Sequence, residues 1–164
     1  MVPEIEPPTS SSIFQNNADL HGPGLAVDGK ISETATGFFM TEKLVHSWLE
    51  LPLKNPKRLI GIKITSRKDM FINSIRDVEI RAGMEPASGT GTMFTHNQKV
   101  GHYAGPAAQG ETFTVMFDKT VLAKYVTIQL RYTNVRFVGW LYVNEAVLIP
   151  GLYSRCIHSP AFLN

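Results

Sequence analysis

Residues 58–65 read RLIGIKIT, and this stretch decides the fold. Leu59, Gly61 and Lys63 alternate with Ile60, Ile62 and Ile64, so an extended chain sets three isoleucines on one side. A period of two is the signature of a strand with one buried face. The same pattern spreads outward. Downstream, 75–83 (IRDVEIRAG) places Val78 and Ile80 together; upstream, 47–53 (SWLELPL) alternates from Trp48. Further strands are expected at 92–98, 112–117, 124–132 and 137–149, with Gly, Pro and Asn turns between them. Short strands at this spacing predict an all-β, antiparallel sandwich or barrel, of which a jelly roll is a common form. No stretch reads as a convincing helix, although 17–29 (NADLHGPGLAVDG) has room for one short turn.

The 164 residues suit one domain that buries a core without disulfides or metals for bulk stability. Residues 1–8 are expected to form an extended arm, 9–150 the sandwich, and 151–164 a tail. The net charge of +2 is small and scattered, which argues against a nucleic-acid partner. The single cysteine, Cys156, can make no internal disulfide and reads as a free thiol or an inter-chain partner. The first residues carry no apolar core of a signal peptide, and no run is long enough for a membrane span.

Function in a sandwich gathers in the loops, here 29–47, 66–75, 83–92, 104–111 and 132–137. One of them is unusual. Arg67 and Arg76 flank an apolar clump of Met70, Phe71 and Ile72. The five histidines (21, 46, 96, 102, 158) lack metal-ligand spacing. There is no nucleophile elbow, phosphate loop or zinc-protease motif, so a non-catalytic role is expected. Asp77 and Glu79 alternate with Val78 and Ile80, which predicts that both carboxylates face solvent.

Taken in order, GLAVDGK, SWLELPL, IGIKITSRKD, VEIRAG, KYVTIQL and LYVNEAVLI resemble the discoidin or coagulation-factor type C superfamily, and within it the fucolectin (F-type lectin) branch. The resemblance spans roughly 9–149. It implies an eight-stranded antiparallel jelly-roll β-sandwich of the galactose-binding-domain type. It also implies a sugar site built from a His, two Arg of an Arg-x-Asp-x4-Arg motif, and a stacking disulfide. Arg67 and Asp69 match the first Arg and the Asp. Ser74 stands where the second Arg would be, with Arg76 two residues later. Met70 and Phe71 replace the disulfide pair, and Met40 lies near the His position, with His46 as a substitute. A thioether and a ring can stack on a sugar, and an arginine fork can bind its hydroxyls. The family also implies a structural calcium, matched here by Asp28 and Glu145, with Leu25, Lys30 and Asn144 contributing carbonyls. The expected role is a lectin-like recognition or adhesion module, extracellular or at the cell surface, binding a glycan and possible as an oligomer. The alternative is a membrane- or protein-binding module using Phe38, Phe39, Met40, Met70, Phe71 and Ile72 as apolar spikes, with Lys43, Lys68 and Arg76 meeting an acidic partner.

Overall fold

The structure is a computed structural model that describes residues 3–69, 75–90, 92–131 and 141–151. These hold eight strands: β1 (Thr9–Ser10), β2 (Phe39–Met40), β3 (Trp48–Thr65), β4 (Val78–Gly83), β5 (Gln98–Tyr103), β6 (Thr112–Leu130), β7 (Tyr142–Val143) and β8 (Glu145–Pro150). One short helix, α1 (Ala18–His21), is capped by the Asn17 side chain, which accepts from the Leu20 N–H. None of the described helices is long and apolar enough to cross a membrane.

All pairings are antiparallel. The main sheet runs β1-β3-β6-β4-β5, with β8 on the second half of β3. β3 and β6 hold it together. The stretches 47–53 and 58–65, expected as two strands, form one; so do 112–117 and 124–132. Their ladder slips twice, between Pro52 and Lys57 and between Leu59 and Gly61. At each slip one strand carries surplus residues, and such bulges bend and twist a sheet sharply. The first half of β3 and all of β4 pair with the end of β6, while the end of β3 lies between the beginning of β6 and β8. The ladder thus folds over on itself into two layers.

The core lies between them. In one layer Leu49, Ile128 and Ile80 sit side by side; in the other, Leu148, Ile62 and Val115 do the same. All six are buried. At Gly101 of β5 the approach is close, since a Cβ there would stand 2.4 Å from the Val115 Cγ1 of the facing layer.

Three sequence expectations change. The strand expected at 92–98 is instead β5, at 98–103, because Gly101 admits Val115 while 92–97 crosses the outer face of the sheet. In β3 the slip at Ile60 carries Leu59, Ile62 and Ile64 into the core and leaves Ile60 only half-buried. Glu79 does not face solvent: it is 2% exposed and paired with Arg81 at 2.5 Å. Met70, Phe71, Ile72, Ser74, Trp140, Cys156, His158, the 132–137 loop and the tail from residue 152 lie outside the described residues.

Candidate functional site

The fold-over brings both ends of β3 to the same end of the molecule. Leu130 N–H bonds the Ser47 carbonyl before β3, and Arg131 N–H bonds Asp77. Asp77 N–H bonds Ala104, Ala107 N–H bonds Ile75, and the Ser66 N–H after β3 bonds Glu111. Thr41 and Leu141 exchange two bonds, Thr41 N–H to the Leu141 carbonyl and Leu141 N–H to the Thr41 hydroxyl. Segments 41–47, 66–69, 75–77, 104–111, 131 and 141 therefore converge.

Arg67 is the fixed point of this end. Its Nε and Nη2 donate to the two Asp69 oxygens at 2.7 Å each, a bidentate pair. Both side chains are 7% exposed. The guanidinium carbon lies 4.9 Å from the Phe38 ring and 4.8 Å from the Tyr142 ring, a cation packed on two adjoining aromatic rings. The hydrogen bonds from Arg67 hold the Asp69 carboxyl below the usual carboxylate range, and those to Asp69 raise the guanidinium in turn. Behind the arginine, Phe38, Met40 and Tyr142 form their own apolar cluster, with Phe14 packed against it and His21 edge-on to Phe14 and Phe38. Alternation explains the arrangement. Along β2 and the residue before it, Phe39 turns to the main core while Phe38 and Met40 turn to this cluster.

The other expected ligands separate by environment. Met40 is buried as a member of the Phe38–Tyr142 cluster. His46 is half-buried, at a left-handed φ of 52°, with its Nδ1 3.3 Å from the Leu130 carbonyl oxygen. Arg76 is exposed at the same end. Phe38, Tyr142 and His21 were not singled out from sequence as a setting for Arg67. They are far from it along the chain, and only the pairing of β2 with β7 (Met40 opposite Tyr142) joins them.

Beside this cluster stands a pair of carboxylates. Gly29, at a φ of 75° that favours glycine, donates its N–H to Glu145 at 3.2 Å, and Lys30 N–H bonds Asp28 at 2.9 Å. Burial pushes the Glu145 carboxyl up to about 7; the Gly29 N–H opposes this, and the nearby Asp28 charge adds to it. Asn144, fully buried, exchanges two hydrogen bonds with the Ser32 backbone through its side chain, which leaves its own carbonyl as the group for a cation. Two carboxylates that repel each other are oxygen donors of the kind a hard cation takes. Among the described residues no group of three or more His, Cys, Asp or Glu could hold a metal, so such a site would draw its other oxygens from carbonyls such as those of Leu25 and Lys30. The exposed Glu33–Lys68 ion pair, at 2.5 Å, ties this turn to the Arg67 loop.

No protein-family model and no curated protein sequence matches the chain. Solved structures do. A fucolectin from striped bass (Morone saxatilis) serum is similar with a TM-score of 0.74 at 23% identity, over 90% of this chain and 47% of that one. The lectin domain of lectinolysin, solved with Lewis b antigen, gives 0.67 at 17% identity over 88% and 92%. A Clostridium perfringens module in complex with GalNAc-β-1,3-galactose gives 0.67 at 15% over 88% and 94%. With its antiparallel layers and the course of β3 and β6, the chain has the jelly-roll sandwich of F-type lectins, carbohydrate-binding modules and F5/8 type C domains.

Proposed function

We propose that the chain is a non-catalytic carbohydrate-binding module whose site is the loop end around Arg67. The observation that carries this reading is the Arg67 fork, locked by Asp69 and by two rings at the point where the loops meet. Asp69 takes Nε and one position on Nη2 and Tyr142 also bonds the guanidinium, so a sugar hydroxyl would take one of the fork's remaining N–H positions. Met70, Phe71 and Ser74 follow directly in the chain and would supply the stacking surface and further polar contacts. Arg76 and His46 stand at the same end as candidates for the rim. Glycans in the structures of lectinolysin and the C. perfringens module support this ligand class. In this reading the module works at a cell surface or outside the cell, and gains strength by multivalency.

Asp28 and Glu145, with the carbonyls of Leu25, Lys30 and Asn144, would hold a structural calcium. Through Ser32 and the Glu33–Lys68 pair it would steady the Arg67 loop. Calcium is then expected to raise the melting temperature of the wild type by several degrees and that of Asp28→Asn by little. Equal shifts in the two proteins would remove the calcium assignment.

The decisive test of function is a glycan array with the purified protein, with calcium and again with chelator. Binding that Arg67→Lys weakens strongly is the expected result, because lysine keeps the charge and loses the fork. A blank array together with binding to anionic vesicles would favour the alternative, in which the 66–76 loop meets a membrane; Phe38, Phe39 and Met40, expected as spikes, are buried and take no part.

A further inference from the structure

The outer face of the layer formed by β1, β4, β5 and the first half of β3 ought to be wet, yet its polar side chains are not. Trp48 is 5% exposed, Glu50 and Glu79 2%, and Thr127 and Gln129 0%. The connection between β4 and β5 lies across them, bound through its backbone. Ala87 N–H donates to Glu50 at 2.5 Å, and the Trp48 indole N–H donates to the Gly89 carbonyl at 2.9 Å. The Thr90 hydroxyl donates to the Ser11 carbonyl at 3.2 Å. Further along, Gln129 exchanges two bonds with the Phe94 backbone. Residues 85–90 thus form a strap held mainly by polar contacts.

Glu50 is the weak member. Its other donors are hydroxyls at long range, Thr9 from β1 at 3.4 Å and Thr127 from β6 at 3.5 Å. The cations on this face are committed elsewhere: Arg81 of β4 pairs with Glu79 at 2.5 Å, and Lys99 of β5 leans to the same Glu79 at 3.9 Å. His102 of β5 pairs with Asp77. The strap brings only a like charge, Glu85, whose N–H is held by Asn97. Among the described residues Glu50 is therefore a buried carboxylate without an ion-pair partner.

We propose that Glu50 is a proton-operated latch on the 85–90 strap: protonated, it lets the strap lie closed over Trp48, and ionised, it favours release. A buried charge without a counter-ion is unfavourable, and opening lets water reach it. Burial raises this carboxyl, more than the Ala87 N–H lowers it. The sign follows. A group raised in the closed form stabilises closure fully below the ordinary glutamate value, and that stabilisation is lost as pH rises through the closed-form value. Release would uncover an indole, two carboxylates and an amide on one flat sheet face.

The test is amide hydrogen exchange at Ala87 between pH 4 and pH 8, corrected for intrinsic rates. Wild-type protection should fall with rising pH, by about tenfold for each pH unit by which closure raises the carboxyl. Glu50→Gln should be protected equally at all pH values. Gln129→Leu, which loosens the other attachment, should exchange faster but keep the pH slope. A flat wild-type profile, or a slope that survives Glu50→Gln, would overturn the latch. If Glu50→Gln does not fold, the titration of the Glu50 side-chain carbonyl by carbon NMR in wild type decides, since an unshifted carboxyl is incompatible with it.

Discussion

Arg67→Ala is expected to destabilise the protein by about 3–5 kcal/mol, the cost of stripping one partner from a buried ion pair. Three separate supports disappear with it. Asp69 keeps its charge at 7% exposure and loses both donors. Phe38 and Tyr142 lose the cation that packs on both rings. The Arg67 carbonyl, which accepts from Gly110 N–H at 2.8 Å, loses its anchored side chain, so the 104–111 loop should loosen too. Urea unfolding gives the free energy, and aromatic shifts of Phe38 and Tyr142 report the local change. Because Asp69 is depressed in the folded state, its share of this stability is present above the ordinary aspartate value and lost as pH falls through the folded value. Wild type and Asp69→Asn should therefore converge in strong acid. A loss below about 1 kcal/mol for Arg67→Ala would mean that the pair behaves as a solvated surface bridge.

Ile128→Ala is the second large effect, at about 2–5 kcal/mol. Ile128 is fully buried near the end of β6, with Leu49 on one side and Ile80 on the other, both equally buried. Its neighbours belong to three strands tied by backbone ladders on both sides, so they cannot collapse into the space left behind. Rigid surroundings put the cost toward the upper part of the range. Ile60→Ala, on the half-buried bulge, should cost far less, although the alternation of 58–65 alone would rank the two alike. Chemical denaturation of the pair compares them directly; equal losses would contradict the bulge.

That comparison shows where sequence was readable and where it was not. Alternation at 47–53, 75–83 and 112–117 foretold strands because each has one face on the core. It failed at Ile60 since one slipped residue exchanges the two faces, and nothing local in RLIGIKIT marks the slip. It misplaced β5 because TMFTHNQ has the stronger pattern, while QKVGHY is admitted by Gly101 and the approach of Val115. Glu79 was read as solvated because the strand pattern says nothing about a connection that crosses the face above it. At the loop end, Arg67 and Asp69 were expected together because they match the Arg-x-Asp motif of the family the sequence resembles. The rings that hold them were not, since Phe38 and Tyr142 meet only through the pairing of β2 with β7.

The fold-over of β3 and β6 also constrains how the chain acquires its structure. Trp48 pairs with Gln129 and Thr65 with Thr112, so the whole register of one long hairpin-like ladder closes around everything between them. Neither layer has a complete set of neighbours until both strands have crossed the bends. Partial structures thus gain little, and the entropy of closing long loops falls due before most of the native contacts reward it. A topology dominated by distant partners places the chain among slowly folding β proteins, with assembly in milliseconds to seconds. The same geometry that gathers the binding loops at one end makes the two layers rise and fall together.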